Sequence, residues 1–410
     1  GAIGAAGKPV ILTAAGKVTP VSGIIEVLTS PVNASTEYAS YLSSAYGNGK
    51  ILLMVHMAGS PYTTYGIVGT ISGGAVTYGT PVALADNIGA SSPAAGVAYD
   101  SVEDKFVISY CGGTGTYATG VVATVSGTAV SYGTPVVVAS YSSRIGAVGY
   151  DANEEKVVLA WTKYSNDDGY AAVGTVSGTS ISYGSEVIFP TSPDSMYRTK
   201  GFAYDANAQK LVLSWSQTNG HVVVLSISGT TLSYGTAVQF DTGGTAEFSA
   251  LAYDSVAQKC VVTWKSDAGS PAGGCARVVT VSGTSITLGT TVAYNSSNAQ
   301  YQSIAYDATA DRSIITYAVG STAKQYIIKG TVSGTNISYA AALEIASNNE
   351  PTTVVYDSVA GKCHIAYGSG YTDVLGLVFT AGYTNLTATN LLGIASGAIL
   401  DTATGTINTW

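Results

Sequence analysis

Five aspartates that do not belong to the repeated Tyr-Asp motif have the clearest potential for chemistry: Asp167, Asp168, Asp194, Asp267 and Asp373. Two carboxylates held close together can hydrolyse a glycosidic bond, one as acid and the other as base or nucleophile. The S-x-D-x-G-x-T-W repeat of sialidases is absent, and no trio of arginines accompanies the aspartates. Asp167 and Asp168 could also hold calcium with carbonyl oxygens, although two adjacent carboxylates alone do not specify such a site. A carbohydrate-active enzyme is therefore an alternative, and the sequence favours a protein that is not an enzyme.

The histidines and cysteines form no metal or nucleophile pattern. His56, His221 and His364 lie far apart, and none has a cysteine or carboxylate at the spacing of a zinc ligand. G-x-S-x-G, phosphate-loop and H-E-x-x-H motifs are absent as well. Cys260 and Cys275 are predicted on neighbouring strands, where a disulfide and two free thiols are both open alternatives. We expect no metal and no cofactor.

Composition excludes two kinds of partner. A formal charge of −8 and the lack of clustered Lys and Arg argue against nucleic acid. No apolar run reaches the length of a membrane span. The first residues, GAIGAAGKPV, lack an initiator Met and a signal-peptide pattern, so we expect a processed or excised chain.

The elements that position these residues come from a repeat of about fifty residues. Tyr-Asp is followed five residues later by Lys or Arg and ten residues later by an aromatic residue. The aspartates are Asp100, Asp151, Asp205, Asp254, Asp307 and Asp357, spaced by 51, 54, 49, 53 and 50 residues. The basic partners are Lys105, Lys156, Lys210, Lys259, Arg312 and Lys362, and the aromatic partners are Tyr110, Trp161, Trp215, Trp264, Tyr317 and Tyr367. A fixed period with strand-type residues predicts a β-repeat architecture.

A second motif, Ser-Gly-Thr followed by Tyr-Gly, runs half a unit out of phase. Its glycines are Gly73, Gly127, Gly178, Gly229, Gly283 and Gly334. Two six-fold motifs in offset phase predict seven repeats, the first around Tyr46-Gly47 and the seventh around Asp357. Each repeat contains four short alternating strands, as at Gly201–Tyr204, Lys210–Ser216, His221–Ser228 and Thr231–Phe240. The predicted fold is all-β: a seven-bladed β-propeller of four-stranded blades.

Each member of the first motif has a structural interpretation. The aspartate can cap backbone N–H groups of a tight turn, and the basic residue can meet it across the hairpin. The aromatic residue is predicted between adjacent blades. A metal-binding ring of carboxylates is disfavoured, because a propeller separates its turns around the ring.

The chain ends are predicted to close the ring. Gly23–Pro31 takes the place of a fourth strand before the first repeat, while the seventh repeat has three clear strands. We therefore expect the N-terminal strand to complete the last blade and to protect its edge. The predicted organisation is an N-terminal β segment at 1–22, a propeller at 23–381 and a C-terminal β segment at 382–410 that stops partway through a module.

One face of the propeller is predicted to carry the variable loops. Turns between first and second strands, and between third and fourth, are regular, whereas the loops on the opposite face vary, as binding loops on a rigid scaffold do. The richest variable segments surround the third and fourth repeats. The candidate ligand-binding residues are Tyr141, Arg144, Lys163, Tyr164, Asn166, Asp167, Asp168, Tyr170, Asp194, Tyr197, Arg198 and Lys200. Tyrosine rings with directional polar groups suit sugars or protein surfaces; the alternative is a set of solvated loops that keeps the protein soluble.

The repeats, such as VGTVSGTSISYGSEVIF and AYDANAQKLVLSW, resemble those of virion proteins from tailed bacteriophages, especially marine ones, over roughly 23 to 381. GKPVILTAAGKVTPV and NLLGIASGAILDTATGTINTW also resemble β segments of tail-fibre-like proteins. The resemblance implies a non-enzymatic protein at the virion surface, or extracellular, that binds a bacterial cell-surface glycan or protein. Implied partners include other virion or appendage proteins and further copies of the chain, as in a trimer. A secreted bacterial adhesin or lectin of the same build is the alternative.

Overall fold

The computed structural model describes most of the repeats and part of each flank. The described residues are 9–12, 18–20, 23–57, 63–84, 96–112, 116–191, 201–215, 217–241, 244–267, 271–370, 372–384, 391–395 and 407–408. Within these ranges, every extended regular element is a β-strand. None of these residues belongs to a helix with the length and apolar character of a membrane span.

The strands of each repeat pair in chain order as an antiparallel meander. The first strands are Ala39–Gly47, Gly96–Asp100, Val136–Asp151, Phe202–Asp205, Thr245–Asp254, Ala299–Asp307 and Thr352–Asp357. The second strands are Lys50–Met57, Lys105–Gly112, Lys156–Lys163, Lys210–Trp215, Lys259–Ser266, Arg312–Val319 and Lys362–Ser369. The third strands are Thr64–Ser72, Tyr117–Ser126, Gly169–Ser177, His221–Ser228, Gly273–Ser282, Lys324–Ser333 and Asp373–Thr380.

The fourth strand differs from its prediction, because it forms two short pieces that pair with the same third strand. The first pieces are Ala75–Tyr78, Ala129–Tyr132, Ser180–Tyr183, Thr231–Tyr234, Ser285–Leu288 and Asn336–Tyr339. The second pieces are Val82–Ala83, the start of Val136–Asp151, Val187–Ile188, Val238–Gln239, Val292–Asn295 and Leu343–Ala346. The prediction of one strand over Thr231–Phe240 was therefore wrong. The short strand Gln217–Thr218 pairs instead with the next sheet.

The aspartates of the first motif cap their turns, as predicted. Oδ1 of Asp254 accepts hydrogen bonds from the N–H groups of Val256 (3.0 Å) and Ala257 (2.8 Å). The same pair of bonds forms at the other five aspartates of the motif. Lys105 Nζ donates to the main-chain oxygens of Glu103 (3.3 Å) and Asp104 (3.2 Å). The basic residue thus supports the turn through carbonyl groups.

The aromatic residues of the motif lie between adjacent sheets, as predicted. Trp161, Trp215 and Trp264 are fully buried. Trp161 packs in one apolar cluster with Val107 and Val122 of the preceding repeat. Such side chains contribute large apolar areas, so these contacts are a main source of cohesion between neighbouring sheets.

The Ser-Gly-Thr and Tyr-Gly segments also join neighbouring repeats. The hydroxyl of Tyr183 in the third repeat lies against Gly120 of the second, where a Cβ would collide with it. The glycine of Tyr-Gly, or of Leu288-Gly289 in the fifth repeat, lies in turn against the threonine carbonyl of the next Ser-Gly-Thr turn. This contact is formed at Gly79–Thr128, Gly133–Thr179, Gly184–Thr230, Gly235–Thr284 and Gly289–Thr335. The second motif therefore fixes the spacing between sheets.

One compact body comprises Thr29–Phe379. In it, each first strand contacts the first strand of the next repeat, and the seventh contacts the first. Val32–Ser35 pairs antiparallel with Asp373–Thr380, and Thr29 N–H donates to the Val378 carbonyl at 3.1 Å. The pairing N-terminal strand thus extends beyond the predicted Gly23–Pro31.

The other compact body comprises Gly1–Leu28 and Thr380–Trp410. Pro9–Leu12 pairs antiparallel with both Val18–Pro20 and Leu391–Ala395, and the latter pairs with Ile407–Asn408. Strands of the two flanks predicted at 1–22 and 382–410 therefore share one sheet. The remaining short strands are Gly23–Ile24, Val27–Leu28 and Tyr383–Thr384.

The disulfide alternative is wrong. Cys260 and Cys275 are buried free thiols, as are Cys111 and Cys363. Cys260 lies opposite Val279 in the strand register, whereas Cys275 lies opposite Trp264. The register therefore separates the two sulfurs along the strands.

Candidate ligand-binding site

The described candidate residues lie at one end of the sheet of the third repeat. Tyr141 and Arg144 lie on Val136–Asp151, Lys163 ends the second strand, and Tyr170 lies near the start of the third. The strand register places Arg144 opposite Thr162 and Ser143 opposite Lys163. Asp194, Tyr197, Arg198 and Lys200 lie outside the described residues. The structure thus brings together eight of the twelve candidates.

A tight turn fixes the loop that carries Tyr164, Asn166, Asp167 and Asp168. The Asp167 N–H donates to the Lys163 carbonyl at 2.9 Å, and the Lys163 N–H donates to the Asp168 carbonyl at 2.8 Å. Asp167 has φ of 55°, a left-handed conformation that Asp tolerates better than most residues. The Tyr164 N–H donates to the Ser142 carbonyl at 2.9 Å and ties the loop to the neighbouring strand.

Arg144 joins two residues of this loop. Its Nη1 donates to Asp167 Oδ1 at 2.8 Å, and its Cζ lies 4.4 Å from the centre of the Tyr164 ring. Tyr164 is 51% exposed, so part of its aromatic surface remains open to a ligand. We call Arg144, Tyr164 and Asp167 the arginine–tyrosine cluster. It combines a flat apolar surface with a fixed cation and a carboxylate.

A second group of contacts surrounds Tyr141. Lys163 Nζ lies 4.9 Å from the centre of its ring, its hydroxyl donates to Glu186 Oε2 at 2.7 Å, and Trp161 Nε1 donates to that hydroxyl at 3.2 Å. The Tyr170 ring lies 6.0 Å from Tyr141 and stacks on Trp161. Burial raises the pKa of Tyr141, the Trp161 bond opposes this shift, and Glu186 adds to it. Tyr141 is therefore a neutral donor to Glu186 at neutral pH.

These contacts divide the predicted patch into two. Lys163 and Tyr164 are adjacent, and adjacent side chains at the end of a strand point to opposite faces. The first then contacts Tyr141 and the second contacts Arg144. The sequence pattern does not indicate Glu186 and Trp161 as partners of Tyr141. Glu186 follows the Tyr-Gly of its own repeat, but only the strand register places it beside Tyr141.

The aspartates considered for catalysis or calcium binding have nearby partners. Asp167 contacts Arg144, Asp168 Oδ2 accepts from Asn166 at 2.5 Å, and Asp267 lies 2.8 Å from Lys265 Nζ. Asp373 Oδ1 accepts from Asn33 at 3.2 Å in the sheet of the seventh repeat. Across the described ranges, no cluster of three or more His, Cys, Asp or Glu could hold a metal ion.

The histidines serve the interior of the sheets. His364 is fully buried, and its Nε2 lies 2.6 Å from the Tyr78 hydroxyl. His56 Nδ1 lies 2.7 Å from Thr64 Oγ1. Burial lowers the pKa of His56 to about 4 and that of His364 to about 3. Both rings are therefore neutral near neutral pH.

Comparison with solved structures identifies the architecture. The chain aligns with a protein from Lactobacillus plantarum at 14% identity and a TM-score of 0.51, over 85% of this chain and 96% of that one. It aligns with the Cps50 (Swd1) β-propeller domain of Myceliophteria thermophila at 8% identity and a TM-score of 0.54, over 85% and 99%. The chain has a β-propeller fold. At these identities the likeness concerns the fold alone. No protein-family model matches the chain, and no curated protein matches it either.

Proposed function

We propose that this β-propeller is a non-catalytic recognition protein whose arginine–tyrosine cluster contacts a bacterial surface glycan or protein. The observation that carries the proposal is the half-exposed Tyr164 ring, which lies against Arg144 in a loop fixed by backbone hydrogen bonds. A pre-positioned aromatic surface loses little conformational entropy on binding, and the adjacent polar groups supply direction.

The scaffold that we infer is a closed ring of seven blades, the last completed by an N-terminal strand. The inference is supported by the unbroken series of contacts between first strands and by the pairing of Val32–Ser35 with Asp373–Thr380. A further support is the cluster that joins Leu42 and Leu53 of the first repeat to Ala366 and Val374 of the seventh. Such closure leaves no exposed strand edge between the two chain ends.

The setting that we propose is the surface of a phage virion, as part of a tail fibre or similar appendage. The resemblance of the repeats to tailed-phage virion proteins supports it. Other virion proteins and further copies of the chain, as in a trimer, would then be structural partners. A secreted bacterial adhesin or lectin would use the same cluster in the same way. Localising the chain in purified particles by immunogold labelling separates the two settings.

The same geometry gives less support to an enzyme. Asp167, Asp267 and Asp373 belong to the third, fifth and seventh repeats, and each has a cation or amide beside it. Glycoside hydrolysis needs two carboxylates within about 10 Å across one scissile bond. We therefore expect no hydrolysis of a polysaccharide that the chain binds.

The proposal is tested by binding of the purified chain to an array of bacterial surface polysaccharides. Tyr164→Ala removes the exposed ring, and we expect affinity for the bound glycan to fall about tenfold or more. Lys324→Gln is the control. It breaks an ion pair of 2.6 Å with Glu344, which lies in another repeat and is exposed to a similar degree as the pair of Arg144 and Asp167. We expect the control to bind as the wild type does.

The outcomes separate the alternatives. If glycan binding survives Tyr164→Ala unchanged, the arginine–tyrosine cluster is not the binding site. If incubation with the protein shortens the polysaccharide that it binds, as measured by size-exclusion chromatography of the polysaccharide, the protein is an enzyme.

A further inference from the structure

A cavity of about 340 Å³ lies between the first strands of the seven repeats. Each repeat contributes the residue two positions before its Tyr, or before Tyr46 in the first repeat. These residues are Ser44, Val97, Val148, Phe202, Leu251, Ile304 and Val354. We call them the inner belt. Six of the seven are apolar, so the belt is a narrow apolar collar with one hydroxyl.

The cavity is polar on one side and apolar on the other. Ser43, Ser44, Ser303 and Thr353 come from the sixth, seventh and first repeats, which are neighbours in space. Val97, Val148, Phe202 and Leu251 come from the second to fifth repeats. The serine and threonine hydroxyls are therefore confined to one sector, which also contains Ile304 and Val354, and the opposite sector is apolar.

The hydroxyl sector retains hydrogen-bonding capacity. Ser44 Oγ and Thr353 Oγ1 lie 2.9 Å apart, and Ser303 Oγ accepts from the Val354 N–H at 3.2 Å. A hydroxyl has one donor and two acceptor lone pairs, so a bonded pair of hydroxyls still offers one hydrogen and further lone pairs. These groups can therefore pair with hydroxyls of a guest molecule.

The lining also restricts the charge of a guest. Among the described residues that line the cavity there is no Asp, Glu, Lys, Arg or His. A charged guest would lose its hydration without gaining an ion pair with these residues, which is unfavourable. The cavity therefore excludes ions, and its volume lies at the lower end of about 300–1,000 Å³ for small-molecule sites.

We propose that the inner cavity binds a single neutral pyranose ring, with its hydroxyls toward Ser44 and Thr353 and its apolar face toward Phe202 and Leu251. A pyranose carries hydroxyls on its edges and C–H groups on its faces, which matches the two sectors. This site is separate from the arginine–tyrosine cluster, and either can fail without the other.

The test uses the full chain and two substitutions that other repeats already contain. Ser44→Val installs the residue found at Val97, Val148 and Val354, and it removes the hydroxyl while keeping the belt closed. Val97→Phe installs the residue of the fourth repeat and fills the cavity. Lys324→Gln is the control at an exposed position outside both proposed sites. Thermal unfolding of each variant establishes that it is folded.

Neutral methyl pyranosides and the methyl glycosides of the corresponding uronic acids, which carry a carboxylate, are titrated by calorimetry and saturation-transfer NMR. The second group is called the uronates. We expect saturable binding of at least one neutral ring, about tenfold weaker binding by Ser44→Val, and loss of binding by Val97→Phe. We expect no binding of the uronates and no effect of Lys324→Gln. The proposal is wrong if no neutral ring binds, which indicates a water-filled cavity, if uronates bind equally well, or if folded Val97→Phe binds unchanged.

Discussion

The buried carboxyl group of Glu350 should make the stability of the protein depend on pH. It is 2% exposed at the junction of the sixth and seventh repeats, and burial raises the pKa of its carboxyl group to about 7. Gln325 Nε2 donates to the Glu350 main-chain oxygen at 3.0 Å and to that of Gly368 at 3.2 Å. At Gly368 a Cβ would lie 2.8 Å from the Glu350 Cβ, so only glycine leaves room for this side chain. The site therefore favours an uncharged carboxyl group.

This shift predicts a pH dependence of stability. The folded pKa of about 7 lies above 4.5, the ordinary pKa of a glutamate side chain, so the native state holds the proton more tightly than the unfolded chain. The contribution is present below pH 4.5 and is lost as the pH rises through 7, by at most about 3 kcal/mol. Glu350→Gln should remove this loss, so that the variant is more stable than the wild type at pH 8.

Urea unfolding at pH 4.5 and pH 8 measures the effect. Buried aspartates such as Asp151 and Asp205 also have raised pKa values, but both proteins share them. The difference between wild type and variant therefore isolates Glu350. Parallel pH profiles for the two proteins would contradict the assignment.

At the scale of the strand and turn, short-range chemistry made most elements predictable. Turn caps such as Asp254 and buried aromatics such as Trp264 follow from residue type and spacing. The broken fourth strand did not, because the break depends on packing against the next repeat. The division of the binding patch also escaped prediction, because it depends on the register between Val136–Asp151 and Lys156–Lys163, where a bulge falls between Ile145 and Ala147. Six members of the inner belt can be read from the sequence as apolar residues two positions before Tyr-Asp, but only the fold brings the members together.

The contact between Tyr-Gly and the next Ser-Gly-Thr turn predicts a specific intolerance. A Cβ at Gly235 would lie 2.0 Å from the carbonyl oxygen of Thr284, a main-chain atom that cannot rotate away. We expect Gly235→Ala to lower the free energy of unfolding by about 1–3 kcal/mol. The matched position in the sixth repeat is Ala340, which already carries a Cβ.

Ala340→Gly is therefore the control, and it should cost no more than about 1 kcal/mol. Chemical denaturation of both variants gives the comparison. Equal effects of the two substitutions would show that the contact does not set the spacing between sheets.

For the whole molecule, the decisive contacts lie between residues far apart in sequence. Val32–Ser35 pairs with Asp373–Thr380, and Thr29 Oγ1 accepts from the Val378 N–H at 2.9 Å. Tyr78 of the first repeat reaches Gly376 and His364 of the seventh, which repeats the tyrosine contact found between earlier neighbours. The repeat motif predicted that the ends meet, because the seventh repeat lacks its own fourth strand. It could not give the register, since the N-terminal strand carries no copy of the motif.

The N-terminal strand should therefore stabilise the ring at its natural position and also when its sequence is moved to the C-terminal end of the propeller. Deleting residues 1–35 removes the strand paired with Asp373–Thr380 and exposes an unpaired edge, which favours association. We expect the melting temperature to fall by more than about 5 °C, because loss of a paired strand costs several kcal/mol and each 1 kcal/mol of lost stability lowers the melting temperature by about 2 °C in a large domain.

In a second variant, a Ser-Gly-Thr turn and the sequence of residues 29–35 follow Thr380 in place of 381–410. The graft uses the hairpin that joins third and fourth strands in other repeats, so it should restore the melting temperature and the elution volume of the wild type. The N-terminal strand does not close the ring if the deletion changes neither the melting temperature nor the elution volume. The same conclusion follows if the graft restores neither property and a graft of scrambled sequence gives the same result.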